Sequence, residues 1–261
     1  MTGEHSEMIE KNENNLSFYE FPHVSAYPQV VHGLFTRKGG FSHGPFQGLN
    51  MSSANGDAAL SVDRNRKRLC DHMKADQLVS ITQVHGTEVV CWDKRMAATK
   101  EIVAHAVLTD EKGALLLIQT ADCQAVMLYD PVKAVVGNIH SGWKGSVGNI
   151  IGKTVDTMVG RYGSDPRDIL AGVGPSLGPC CAEFLNYQAE IPEKYWVHKN
   201  SRHYFDFWAI SRKQLEKEGV LTENICLSQL CTACHSNKDL FFSYRRDKLT
   251  GRLANVIGLV K

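Results

Sequence analysis

The stretch ALLLIQTADCQAVMLYDPVKAVVGNIHSGWKG, residues 114–145, decides the fold class. It opens on an apolar run at 114–119 and continues with two more at 125–129 and 134–139. The last two are separated only by Asp130-Pro131-Val132-Lys133. Short apolar runs joined by an Asp-Pro turn read as a β-hairpin inside a buried sheet. Beyond Gly145 the period changes. Val147, Ile150, Ile151, Val155, Met158, Val159 and Tyr162 recur at helical spacing, Gly163 closes the pattern, and Pro166 lies just past it.

Working outward, residues 30–36, 79–83, 88–92, 169–173 and 240–244 also read as strands, and 206–217, followed by Gly219, as a second helix. Strands outnumber helices and do not alternate strictly with them. That points to an α+β class with mixed β-sheets rather than a doubly wound parallel sheet. There is no internal repeat and no low-complexity linker, so residues 16–261 are expected to form a single catalytic domain. Residues 1–15 are polar and charged, lack the apolar core of a signal peptide, and are expected to be a disordered tail.

The 261 residues are 43% hydrophobic and 22% charged, with a formal net charge of +1. A near-neutral chain of this kind favours a small-molecule partner over nucleic acid or an anionic membrane. No stretch approaches the ~18 apolar residues of a membrane span. Eight cysteines without a secretion signal suit a reducing, cytoplasmic location, which turns some of them into metal-binding or catalytic candidates.

Three segments share a design. Gln83-Val84-His85-Gly86 ends one expected strand, Thr120-Ala121-Asp122-Cys123 follows another, and His140-Ser141-Gly142-Trp143-Lys144-Gly145 ends a third and enters the helix. Each sets a histidine or cysteine where a rigid sheet hands over to a loop, so the side chains can converge on a cleft. A thiolate with two imidazoles is a good zinc set that leaves a fourth position open. The long separations carry no metal signal of their own, and each residue also reads as an ordinary strand-end side chain.

The segments 120–128 and 140–145 closely resemble those of the YfiH-like family. That family is also known as the multicopper polyphenol oxidase (laccase) domain family and as purine nucleoside phosphorylase/adenosine deaminase. Phe35-Thr36-Arg37-Lys38-Gly39-Gly40-Phe41-Ser42, Gln83-Val84-His85-Gly86, Gly174-Pro175-Ser176-Leu177-Gly178-Pro179-Cys180-Cys181 and Phe241-Phe242-Ser243-Tyr244-Arg245-Arg246-Asp247 agree, in the family's order. The resemblance implies a four-layer α/β/β/α sandwich. It implies zinc held by His85, Cys123 and His140, which are then the catalytic residues. It also implies phosphorolysis of adenosine, inosine, guanosine and methylthioadenosine, and deamination of adenosine. The partners are then a purine nucleoside and phosphate, for a monomer or homodimer. Asn50, in Gly48-Leu49-Asn50-Met51-Ser52, matches a family asparagine in surroundings that depart from the family's Asn-Leu-Gly-hydrophobic pattern.

Phosphorolysis needs an anion site beside the ribose. Arg37 with Gly39 and Gly40, the Arg245-Arg246 pair, and Lys144 are the cationic candidates. Gln83 belongs to the same substrate-binding set, and Tyr244 or Trp143 could stack on a purine. Asp122, beside Cys123, is either a proton shuttle or a carboxylate bonded to a neighbouring loop.

Other signals weigh less. Gly152-Lys153-Thr154 evokes a phosphate-binding loop but lacks the required upstream glycine, since position 147 is valine. Cys231-Thr232-Ala233-Cys234-His235 evokes haem attachment, and its thiols are expected instead to be buried and structural. Copper is the alternative ion, because two histidines and a cysteine also suit a blue-copper site. A multicopper oxidase, however, feeds a trinuclear cluster from His-x-His pairs, and the chain has none. The competing activities are a metal-independent Cys–His hydrolase, which the resemblance links to editing of peptidoglycan precursors, a copper-dependent polyphenol oxidase, and a non-catalytic scaffold.

Overall fold

The computed structural model describes residues 8–84, 86–98 and 101–261. Their strands are β1 (Ile9–Glu13), β2 (Leu16–Glu20), β3 (Val30–Phe35), β4 (Gln77–Ser80), β5 (Val89–Cys91), β6 (Ala106–Thr109), β7 (Ala114–Thr120), β8 (Gln124–Asp130), β9 (Val135–Ser141), β10 (Leu170–Val173), β11 (Ile225–Leu227) and β12 (Leu253–Leu259). The helices are α1 (Pro22–Ser25), α2 (Ala59–Met73), α3 (Trp143–Val147), α4 (Ile150–Tyr162), α5 (Tyr187–Glu190), α6 (Phe207–Lys217) and α7 (Tyr244–Asp247).

Two six-stranded sheets result, in the orders β1-β2-β3-β12-β7-β4 and β11-β10-β8-β9-β6-β5. Each is mixed. β4 runs parallel to β7 in the first, while β5 and β11 run parallel to β6 and β10 in the second. Leu34, Leu116, Ile118 and Ile257 of the first sheet meet Ala125, Met127, Tyr129 and Val136 of the second in a shared core. The other face of the first sheet carries Leu69 of α2, and that of the second carries Ile151, Val155 and Met158 of α4 with Leu215 of α6. The layers are therefore α/β/β/α. Alternation along β8 explains this, because Ala125 and Met127 face one core while Val126 and Leu128 face the other.

The β8–β9 hairpin forms in register from Gln124↔Ser141 to Asp130↔Val135. Asp130 Oδ1 accepts the Val132 and Lys133 N–H groups and builds the turn. Asn138 on β9 donates from Nδ2 to the carbonyls of Leu116 and Asn255, which belong to the opposite sheet. A buried amide spanning the sandwich has no water to replace those bonds. Asn138→Ala should therefore lower unfolding free energy by about 2–3 kcal/mol in a urea titration. An unchanged midpoint would show that the bridge contributes nothing.

Four expectations need correction. The helix begun after Gly145 is broken: Asn149, in the left-handed region at φ 56°, ends the α3 segment and caps α4 by accepting the Gly152 N–H. Val147 consequently packs with the Phe205 cluster and not under α4. Residues 240–244 are not a strand. Leu240, Phe241 and Phe242 are buried in the inter-sheet core, but the Leu240 and Phe241 carbonyls accept from Arg37 N–H and the Arg246 guanidinium rather than from a ladder. Residues 9–13 of the expected tail form β1, paired with β2, while 1–7 lie outside the described residues. The 79–83 strand shifts to 77–80. Helix α2 gives little apolar signal because only Val62, Asn65 and Leu69 of it are buried. Among the described residues no helix is long and apolar enough to cross a membrane.

Candidate active site

The chain passes from one sheet to the other between Thr120, the last residue of β7, and Gln124, the first of β8. The crossing takes three residues, and Asp122 adopts φ 87° to make it. Cys123 is thereby delivered to the end of the second sheet. Ala125 pairs with His140, so His140 lies on the neighbouring strand, opposite the residue two positions beyond Cys123.

A cavity of about 260 Å³ opens here, walled by Asp122, Cys123, Trp143, Phe184, Tyr244 and Arg245 among others. Its volume lies just below the ~300–1,000 Å³ usual for small-molecule sites. Trp143 and Phe184 meet edge to face at 6.2 Å. Part of the Cys123 surface opens to the cavity while protein atoms enclose the rest, and this burial, followed by the Asp122 charge, pushes the thiol up to about 12. Arg252 pulls the other way. Its own guanidinium is held below its usual range by burial, against the opposing charges of Cys123, Asp122 and Tyr244.

Both oxygens of Asp122 are occupied. Oδ1 accepts the Thr232 hydroxyl at 2.6 Å and Oδ2 the Arg245 N–H at 2.6 Å. The carboxylate thus anchors the loops that carry the cavity wall. Asp122→Ala would strand a hydroxyl and an N–H, and should cost about 2 kcal/mol, or roughly 4–8 °C in melting temperature. A melting curve that does not move would show that the anchor is dispensable.

His85 lies outside the described residues. Its neighbour Gly86 fits against the His105 ring, which a Cβ there would approach to 2.9 Å, and the Gly86 carbonyl faces Gly145 at the start of α3. His105 is buried, its Nδ1 accepts the Glu88 N–H at 3.2 Å, and its carbonyl accepts the His140 N–H at 2.7 Å. The 86–88 segment, His105 and His140 therefore form one packed group.

The remaining sequence candidates are placed unequally. Tyr244, half exposed, and Arg245 line the cavity, and the Arg245 guanidinium donates to the carbonyls of Cys181 and Glu183. Arg37 donates from Nε to the Gln47 carbonyl and lies over the Phe242 ring at 4.5 Å. Gly39 and Gly40 answer to backbone crowding, since a Cβ would sit 1.8 Å from the Asn15 carbonyl oxygen and 2.0 Å from that of Gly48. Asn50 is fully buried and ties Ser52, Asp57 and the Arg252 N–H together. Gln83 exchanges two 2.8 Å bonds with the Gln119 backbone. Lys144 is exposed, its Nζ 5.5 Å from the Trp143 ring. Arg252 and His105 escaped the sequence reading. Arg252 closes the run Thr250-Gly251-Arg252 just past the Arg245-Arg246 pair, which was a usable signal. His105 sits in an apolar run that reads as core.

The multi-copper polyphenol oxidoreductase laccase family model matches residues 31–260. The chain belongs to that family. It is a YfiH-like chain. Its relatives include "Purine nucleoside phosphorylase YlmD" of Geobacillus stearothermophilus, 34% identical over 251 residues, covering 88% of this chain and 90% of the relative. A "Purine nucleoside phosphorylase" of Deinococcus radiodurans is 36% identical over 241 residues, covering 88% and 89%. The crystal structure of the Bacillus licheniformis hypothetical protein YfiH superposes with a TM-score of 0.86 at 29% identity, covering 97% of this chain and 99% of that one. The YfiH-like fold is thus shared over nearly the whole length of both chains.

Proposed function

We propose that this YfiH-like chain is a zinc-dependent purine nucleoside phosphorylase that cleaves adenosine, inosine, guanosine and methylthioadenosine and also deaminates adenosine. The observation that carries the reading is that Cys123 lines a cavity with aromatic and arginine walls, just ahead of the strand whose Ala125 pairs with His140. The names borne by the relatives support it.

The donor set fits zinc. An enclosed thiol becomes a thiolate only beside a cation, and His140 supplies an imidazole on the adjoining strand. His85, which precedes Gly86 in the sequence, would complete the set. When bound, zinc would supply Lewis-acid polarisation and water activation near neutral pH. The protein's own residues do the rest. Trp143 and Phe184 offer the faces and edges on which a purine stacks. Arg245, its guanidinium steadied by two carbonyls, and Arg252, partly desolvated, set positive charge where phosphate must approach the ribose. In phosphorolysis a phosphate oxygen bonds to C1′ of the ribose as the bond to N9 breaks. The electron pair leaves with the base, which takes up a proton, giving free purine and ribose 1-phosphate. Tyr244 stands at the same rim.

The test is incubation of the purified chain with adenosine or inosine, with and without phosphate. Phosphate-dependent release of the base with ribose 1-phosphate, and phosphate-independent conversion of adenosine to inosine, are expected. Absence of both products from zinc-loaded protein would overturn the proposal. Activity that survives removal of zinc but not Cys123→Ser would establish the Cys–His hydrolase instead.

A further inference from the structure

Strands β10 and β11 run parallel, Val173 opposite Leu227, and the chain leaves both at the same end of the second sheet. The two exits stay together. The Ser228 N–H donates to the Val173 carbonyl, the Ser176 N–H to that of Leu230, and the Thr232 N–H to that of Ser176. This lays Cys180-Cys181 of one exit against Cys231 and Cys234 of the other. The four Sγ atoms all lie within 4.8 Å of one another. The expectation that the Cys231 and Cys234 thiols are buried holds for Cys231 and is corrected for Cys234, which is exposed beside the equally exposed Cys180.

We infer that Cys180, Cys181, Cys231 and Cys234 form a second, closed metal site that binds one zinc ion and fastens the wall of the cavity. The geometry suits it. Zn–S bonds of ~2.3 Å in a tetrahedron separate the sulfurs by about 3.8 Å, a spacing that lies between the 3.2 Å of the Cys180–Cys234 pair and the 4.8 Å limit of the cluster. The Gly178 N–H points at the Cys231 sulfur from 3.4 Å. Four thiolates around a dication carry a net double negative charge, and the guanidiniums of Arg245 and Arg246 donate to the carbonyls of Cys181 and Thr232 in the same two turns. Four protein ligands leave no open position, so the ion is structural. It would hold the turn bearing Phe184 and the turn bearing Thr232, the partner of Asp122.

Metal content and ligand type test this independently of any catalytic activity. The Cys123→Ser chain, weakened at the first site, should retain about one zinc ion, and its X-ray absorption should show four sulfur neighbours at about 2.3 Å. Cobalt loaded in its place should give intense thiolate charge-transfer bands that vanish in the Cys123→Ser/Cys180→Ser/Cys234→Ser triple variant. In the unaltered chain, the four cysteines should resist alkylation until a chelator is added. Absence of metal from folded Cys123→Ser protein, free alkylation of all four thiols in the native chain, or a Cys180–Cys234 disulfide in protein kept under reducing conditions would each overturn the inference.

Discussion

Replacing Cys123 by serine should lower kcat/KM for inosine phosphorolysis on the order of 10³-fold, with the far-ultraviolet circular dichroism unchanged. The size follows from removing one of the three proposed metal ligands, and a 10³-fold loss corresponds to about 4 kcal/mol of transition-state stabilisation. The fold should survive because Cys123 sits one residue outside the β8–β9 ladder and only partly within the core. A serine variant that retains wild-type kcat/KM would remove Cys123 from the chemistry and with it the proposed zinc centre.

The second large effect is on stability against pH. His32, on β3, is 3% exposed and accepts the Phe21 N–H at Nε2 over 2.8 Å, which requires the neutral ring. Burial, and secondarily the nearby His23, hold its pKa down to about 3. In the unfolded chain the imidazole titrates near 6.5. Between those values the unfolded state takes up a proton that the folded state refuses, so stability rises with pH across the window and is lost as pH falls from about 6.5 towards 3. The whole contribution is on the order of 5 kcal/mol, and about 2 kcal/mol should disappear between pH 7 and pH 5. His23, whose pKa is also lowered by burial, acts in the same direction. Urea unfolding at the two pH values measures this. His32→Gln should start from a lower stability and lose less of it on acidification. Equal losses in both proteins would show that His32 is not the group responsible.

Much of the architecture was legible because local pattern and tertiary environment agree. The 125–129 and 135–139 runs are buried on both faces, so their unbroken apolarity reads correctly as internal strands, while Ala134, exposed at φ 52°, belongs to the turn. Helix α6 announces itself through Asp206, whose carboxylate caps it by accepting the Ala209 N–H, and through Gly219 beyond its end. Where they disagree, the reading fails. Residues 240–244 have a strand's composition, but their carbonyls serve Arg37 and Arg246. Residues 9–13 have a tail's composition, yet they complete an edge of the first sheet, where polar side chains cost nothing.

The residue order alone determined the sheet-rich α+β class, the hairpin at 124–141, and the nomination of His85, Cys123 and His140 through motifs lying at strand ends. Those are short-range properties, written in apolar periodicity and in turn residues a few positions apart. Only the tertiary structure decided which of the arginines face the cavity, that Asp122 is committed to Thr232 and Arg245, and that two cysteine pairs far apart in the chain, Cys180-Cys181 and Cys231 with Cys234, come within 4.8 Å of one another. The physical reason is that such contacts arise where parallel strands end side by side, and that adjacency is set by packing across the sheet and leaves no periodic trace along the chain.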